Sequence, residues 1–151
     1  MARWIIGQDG EPELRALYDR HYSSYKYRDG RKPKKFVGPG EYIALTLPDR
    51  AALFVWRKFK DASGQRGINC SVFRNESAHL SSDLIREADA IADYCWPRER
   101  HYTYVRAEAV RSKYPGWCFI RAGWKCCGHT KGGLLIFSRE NFKEDKINAR
   151  A

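Results

Sequence analysis

Apolar positions follow a strand rhythm in the first half of this chain and mixed strand and helix rhythms in the second. "RWIIGQ", Arg3 to Gln8, reads as a short first strand ended by "QDG". In "EPELRALYDRHYSSY", Leu14, Leu17, Tyr18 and His21 recur at helical spacing and Pro12 suits a first turn, so a helix is predicted over 11–25. Residues 23–40 hold Gly30, Pro33, Gly38, Pro39 and Gly40, which forbid a long helix and predict a loop. "EYIALTLPD", "AALFVWRKFK" and "INCSVFRNES" then read as an antiparallel meander, with Ile68, Cys70 and Val72 facing one way. "LSSDLIREADAIADYCW" is amphipathic: Leu84, Ile85, Ala88, Ile91, Ala92 and Cys95 form its buried stripe. Ser81 or Ser82 is placed to cap that helix, Asp83 to favour its dipole and Pro97 to stop it. A strand "HYTYVRAEAV", a short helix "PGWCFIRAGW" closed by Gly123, and a closing strand or hairpin "KCCGHTKGGLLIFSRE" complete the pattern. The order predicts an α/β (α+β) fold, a mixed central sheet with helices on both faces. One domain is expected over 1–140, with a basic loop at 23–40 and a polar tail at 141–151.

Charge changes this picture more than length does. The 151 residues suffice for a real core. Lys and Arg total 28 against 18 acids, a net charge of +10, and that points to a polyanionic partner, nucleic acid or a phosphate-bearing cofactor. A merely soluble basic protein is the plainer alternative. No stretch nears the roughly 18 apolar residues that span a bilayer, and the N-terminal apolar patch runs into acids, unlike a signal peptide. Five cysteines at scattered spacings fit reduced thiols, so a cytoplasmic protein with no membrane partner is expected.

The densest basic segment carries Tyr25, Lys26, Arg28, Arg31, Lys32, Lys34 and Lys35, with Tyr22 and Tyr27 interleaved. Its cations suit phosphates and its rings suit bases; the alternative is a solvated loop. Arg98, Arg100, Arg106, Arg111 and Lys113 form a second cluster. His21, at the predicted helix end beside Tyr22, is a candidate general base, against an alternative in which it packs or caps. In "FRNES", Asn75 can hold a base edge or a carbonyl and Glu76 can orient His21; the alternative is a polar turn. Cys118, Cys126, Cys127 and His129 match no zinc spacing, and neighbouring strand residues face opposite ways, so no metal is expected.

The helix "SSDLIREADAIADY", the strand after it and "YPGWCFIRAGWKCCGHTK" resemble the C-terminal half of the GNAT-type acyltransferase fold, whose aromatic-x-x-x-Gly-aromatic turn matches Phe119 to Trp124. His21-Tyr22 resembles the phage Mom-type DNA-modification proteins, a divergent GNAT branch that alters adenine bases. "DRHYS", "FRNE" and "GWCFIRAGW" are similar to segments of short phage and bacterial proteins. The resemblance implies that Asn69 to Arg74 splays from the next parallel strand. An acyl-CoA, or another acyl or aminoacyl donor, would then lie against Cys70, Val72 and Arg74. Loop 75–84, with Ser81 and Ser82, would hold its pyrophosphate at the helix N-terminus. It further implies a transferase acting on DNA in a bacterial cytoplasm, with His21, Tyr22, Asn75, Ser81 and Tyr114 as candidate catalytic groups, and Arg111 and Lys113 joining the basic loop on nucleic acid. Two positions depart from the family pattern. Loop 75–84 has no glycine and carries Glu76, whose charge repels a pyrophosphate. The family's Tyr acid falls on Phe119, which has no proton to give. A non-catalytic nucleic-acid-binding protein, or a phage protein that inhibits its host, is the alternative.

Overall fold

Alternate residues of the central strands leave opposite faces of one sheet, and each face meets different helices. In the computed structural model, which describes residues 3–31, 33–109 and 114–140, seven strands are β1 (Ile5–Gly7), β2 (Glu41–Thr46), β3 (Ala52–Lys58), β4 (Ile68–Asn75), β5 (His101–Val105), β6 (Lys125–His129) and β7 (Leu135–Arg139). They lie in the order β1-β2-β3-β4-β5-β7-β6, antiparallel throughout except for the β4–β5 pair. The helices are α1 (Pro12–Asp19), α2 (Ser81–Cys95) and α3 (Trp117–Arg121). The architecture is a single α+β domain.

Phe54, Trp56, Ile68 and Cys70 pack with Leu84, Ile85, Ala88 and Ala92 of α2 and with Phe119 and Trp124. Ala44, Leu53, Val55 and Val72 pack on the other side with Leu14, Leu17 and Tyr18 of α1. Each fully buried aliphatic or aromatic side chain contributes about 1.5–3 kcal/mol. The meander, the α2 periodicity and the closing hairpin follow the sequence pattern.

Four local expectations are corrected. The first helix stops at Asp19, short of residue 25: the Tyr18 hydroxyl accepts from Tyr25 N–H at 2.7 Å and Tyr18 O from His21 N–H at 2.9 Å, so the chain turns back. Ile68, Cys70 and Val72 do not share a face. Val55 pairs with Val72 but Trp56 pairs with Cys70, so Ser71 is an extra residue, a β-bulge that sends Val72 to the α1 side. Neither Ser81 nor Ser82 caps α2; Leu80 occupies the cap position, the Ser81 hydroxyl accepts from Asn75 Nδ2 at 2.9 Å, and Ser82 is buried. Cys95 is exposed at the helix end, while Asp89 lies within the buried stripe.

Asp89 anchors a buried polar network. His101 Nδ1 lies 2.8 Å from Asp89 Oδ1, and Trp124 Nε1 donates to Asp89 Oδ2 at 2.9 Å. Arg139 donates from Nη2 to Asp93 Oδ2 at 2.9 Å. His101 Nε2 is 3.3 Å from Asp93 Oδ1 but off the line a hydrogen bond needs, which leaves it without a hydrogen-bond partner.

The β4–β5 pair shapes the site. The strands start in tight contact: a Cβ on Gly67, at φ +110°, would meet Arg100 O at 2.0 Å. They pair at only three positions, Ile68 with His101, Asn69 with Tyr102 and Cys70 with Thr103. Thr103 Oγ1 donates to Cys70 O at 2.8 Å. Beyond that bond, and from the Ser71 bulge onward, the strands part.

Candidate functional site

The gap between the parted strands is a cleft of about 460 Å³. Asn69, Cys70, Ser71 and Phe73 of β4 form one wall, and Thr103, Tyr104 and Val105 of β5 with Arg106 form the other. His21, Tyr22, Ser23, Phe59 and Asp61 close it on one side, and Gly116, Cys118, Phe119 and Leu134 on the other. Facing strand edges that do not pair leave backbone groups open to an extended ligand.

His21 and Tyr22 sit in the turn after α1, their rings stacked at 4.3 Å. Tyr22 Oη donates to Tyr104 O at 3.5 Å, a long bond across the cleft, and the Arg106 guanidinium lies 5.7 Å from the Tyr22 ring centre. His21 Nδ1 accepts from Ser23 N–H at 3.1 Å, with Ser23 Oγ at 2.6 Å, so the ring is neutral with its proton on Nε2. Burial first, and then the Arg74 charge, push the His21 pKa down to about 4; a backbone hydrogen bond with Phe73 works the other way. His21 is therefore uncharged across the physiological range, with Nδ1 engaged. Its imidazole resonances are expected to titrate near pH 4 by NMR; a midpoint near the ordinary 6.5 would refute this environment.

Glu76 does not reach His21 in the role expected of it. Its carboxylate accepts from Arg20 Nε and Nη2 at 2.8 Å each and from Arg74 Nε at 2.5 Å. These bonds, that of Arg20 foremost, hold its pKa down to about 2. Two cations on one carboxylate leave a net positive cluster, so the repulsion expected from Glu76 is cancelled. The clamp also ties the end of α1 to the loop after β4, since Arg74 Nη1 donates to Arg20 O at 2.8 Å.

Asn75 organises that loop and does not line the cleft. Its Oδ1 accepts from Ser77 N–H at 2.9 Å and its Nδ2 donates to His79 O at 2.8 Å and to Ser81 Oγ. Of the expected donor-binding residues, Cys70 lines the cleft. Val72 is buried under α1, Arg74 is paired with Glu76, and Ser81 and Ser82 stand at the start of α2, which no side chain caps. Tyr114 is 60% exposed and stands outside the lining. Burial raises the pKa of the Cys70 and Cys118 thiols, so neither is a ready nucleophile. Among the described residues no group of His, Cys, Asp and Glu is placed to hold a metal.

The basic loop is pinned at both ends. The Tyr18 hydroxyl accepts from Tyr25 N–H at 2.7 Å at one end; at the other, Arg15 donates to Pro33 O, Asp9 accepts from Phe36 N–H at 2.7 Å, and Phe36 stacks on Tyr18 at 4.9 Å. Between these anchors Tyr25, Lys26, Arg28 and Arg31 are exposed, as are Lys34 and Lys35. Arg31 lies over the Tyr27 ring at 4.2 Å, and Tyr25 meets Tyr27 edge-on at 4.8 Å. Lys32, Arg111 and Lys113 lie outside the described residues. In the second basic cluster, Arg106 joins the cleft, whereas Arg100 is buried and bonded to Arg66 O and Gln65 Oε1.

Sequence reasoning missed Asp61. Its Oδ2 accepts from Tyr102 and Tyr104 hydroxyls at 2.8 and 2.6 Å, and its Oδ1 accepts from Ser63 N–H at 2.8 Å. Among the described residues it is the one carboxylate lining the cleft. Burial, with Asp61 adding to it, raises the Tyr104 pKa to about 12, which keeps that phenol protonated. The available signal was the Tyr102/Tyr104 alternation on a strand, but Asp61 sits in a turn where Asp is common.

Comparison of the chain with protein-family models, curated proteins and solved structures found no match. No helix among the described residues is long and apolar enough to cross a membrane.

Proposed function

We propose that this chain is a GNAT-like transferase that modifies bases in DNA, related to the Mom-type proteins. The observation that carries this reading is the opening of β4 from β5 behind the Ser71 bulge, on the strand that leads into the uncapped start of α2. An acyl-CoA or another acyl or aminoacyl donor would lay the amides of its arm along the open strand edges. Its phosphates would face the N–H groups of α2 and the positive Arg20–Arg74–Glu76 cluster. The nucleic-acid side rests on the basic loop, whose Tyr25, Tyr27 and Arg31 follow directly on His21, Tyr22 and Ser23 at the cleft. DNA from cells expressing the protein should yield a nucleoside of increased mass by mass spectrometry. An unchanged nucleoside profile with folded protein present would sink the reading.

A second reading has its own support. Phe119 stands where the resemblance puts a proton-donating Tyr, and His21 Nδ1 is taken by Ser23. Both favour a protein that binds nucleic acid without chemistry. It predicts steeply salt-dependent DNA binding and no heat on calorimetric titration with acyl-CoA.

A further inference from the structure

Tyr114, Trp117 and Ile120 form an apolar ridge whose exposure the fold does not explain. They are 60%, 49% and 41% exposed, and the Tyr114 and Trp117 rings lie 5.9 Å apart. Trp117 and Ile120 are three apart on α3, so they share a helix face. Gly116, Cys118 and Phe119, interleaved with them, line the cleft, so the ridge stands at its rim. Gly116 fixes that placement, because a Cβ there would overlap the Phe137 ring at 2.3 Å. Arg121 in the last turn of α3 is exposed, as is Arg106 at the cleft; Arg86 of α2 donates to Arg121 O but is paired with Asp83 at 2.9 Å.

We propose that this ridge is a wedge against duplex DNA, filling the space left when one nucleotide is turned out of the stack toward the cleft. The inference rests on the proposed action on DNA bases. A base inside a duplex cannot reach a reactive atom held in a cleft, so an enzyme of this kind must extrude it or work on single strands. Apolar side chains inserted between base steps keep such openings from closing. Large apolar groups exposed together beside Arg121 and Arg106 match that need: the cations hold phosphates while the ridge replaces a stacked neighbour. The cleft, at about 460 Å³, has room for an extruded base.

The test uses the full chain on plasmid DNA, which samples many sequences. Permanganate and chloroacetaldehyde report bases that are unstacked or unpaired. The wild-type protein should create reactive bases above background. Trp117→Ala and Ile120→Ala should each lower that reactivity at least about fivefold while leaving the plasmid dissociation constant within about threefold, since phosphate contacts carry most of the affinity. Trp117→Phe, which keeps a stacking ring, should restore it. DNA bound with no reactive base, or with reactivity unchanged in both alanine variants, overturns the wedge and leaves the nucleic-acid reading standing. No DNA binding by wild type overturns both. A change in solution mass on Trp117→Ala with base reactivity unchanged makes the ridge a contact between copies and also overturns the wedge.

Discussion

Asp89→Ala is expected to lower the free energy of unfolding by about 3–5 kcal/mol in urea titration, because it strands a buried imidazole and indole N–H without their acceptor. Asp89 accepts from Trp124 Nε1 and faces His101 Nδ1, and all three residues are buried. The exposed Asp83–Arg86 pair, at 2.9 Å on the same helix, is the control: Asp83→Ala should cost less than about 1 kcal/mol. A loss below about 1 kcal/mol for Asp89→Ala would show the network to be dispensable.

The same network sets a pH window. The pKa of His101 is raised above the ordinary 6.5: burial opposes its charge, but the Asp89 and Asp93 carboxylates outweigh burial. A raised folded value means the stabilisation is complete below the unfolded pKa and fades as pH climbs through the folded one. Asp93 runs the other way. Its pKa falls from 3.8 to about 2 against burial, through the close approach of His101 and the bonds from Arg139, so its contribution holds above 3.8 and is lost toward pH 2. Stability should be greatest between about pH 4 and 6.5 from these two groups. Asp89→Ala should flatten the alkaline side, since it removes the partner that raises His101.

The sheet's strands and α2 were legible because their patterns are long and periodic. Leu84, Ile85, Ala88 and Ala92 repeat at helical spacing and Phe54 and Trp56 at strand spacing, and each set is buried together. What the pattern hid was every place where one residue breaks the period. The Ser71 bulge flips Val72, and a bulge has no residue signature in a Ser-Val step. Asp89 reads as a polar position on α2, yet it is buried because His101 and Trp124, residues 12 and 35 positions away, supply its partners. Pairing across such separations is invisible to local reading.

The candidate site divides along the same line. His21, Tyr22 and Cys70 meet in one cleft, and a short segment marks each. The polar run after β4 points to Asn75, and the resemblance's phosphate loop to Ser81 and Ser82. That run instead folds on itself, with Asn75 bonded to Ser77, His79 and Ser81. Glu76 was read as a lone negative charge, and only the fold brings Arg20 from α1's end to neutralise it. Local sequence thus pointed to the wall formed by the turn after α1. The loop after β4 depended on contacts that sequence does not announce.

Ser71→Trp should separate donor binding from nucleic-acid binding. Ser71 is the unpaired residue of the bulge and lines the cleft between the parted strands. An indole placed there occupies the space that a donor arm would need, and the bulge leaves it no partner strand to displace. With acetyl-CoA and free CoA as calorimetric probes, affinity should fall at least about 100-fold, equivalent to about 2.7 kcal/mol. Any transferred mass on DNA should disappear with it. The urea midpoint should stay close to wild type, because the added ring enters an existing void and not packed core. Binding to plasmid DNA should also persist, with its salt slope unchanged, since Tyr25, Lys26, Arg28 and Arg31 project from a loop anchored at Asp9 and Tyr18. Equal CoA affinity in the variant and wild type would remove the cleft as the donor's path. Absence of CoA binding by wild type, alongside tight DNA binding, would favour the non-catalytic reading that Phe119 already supports.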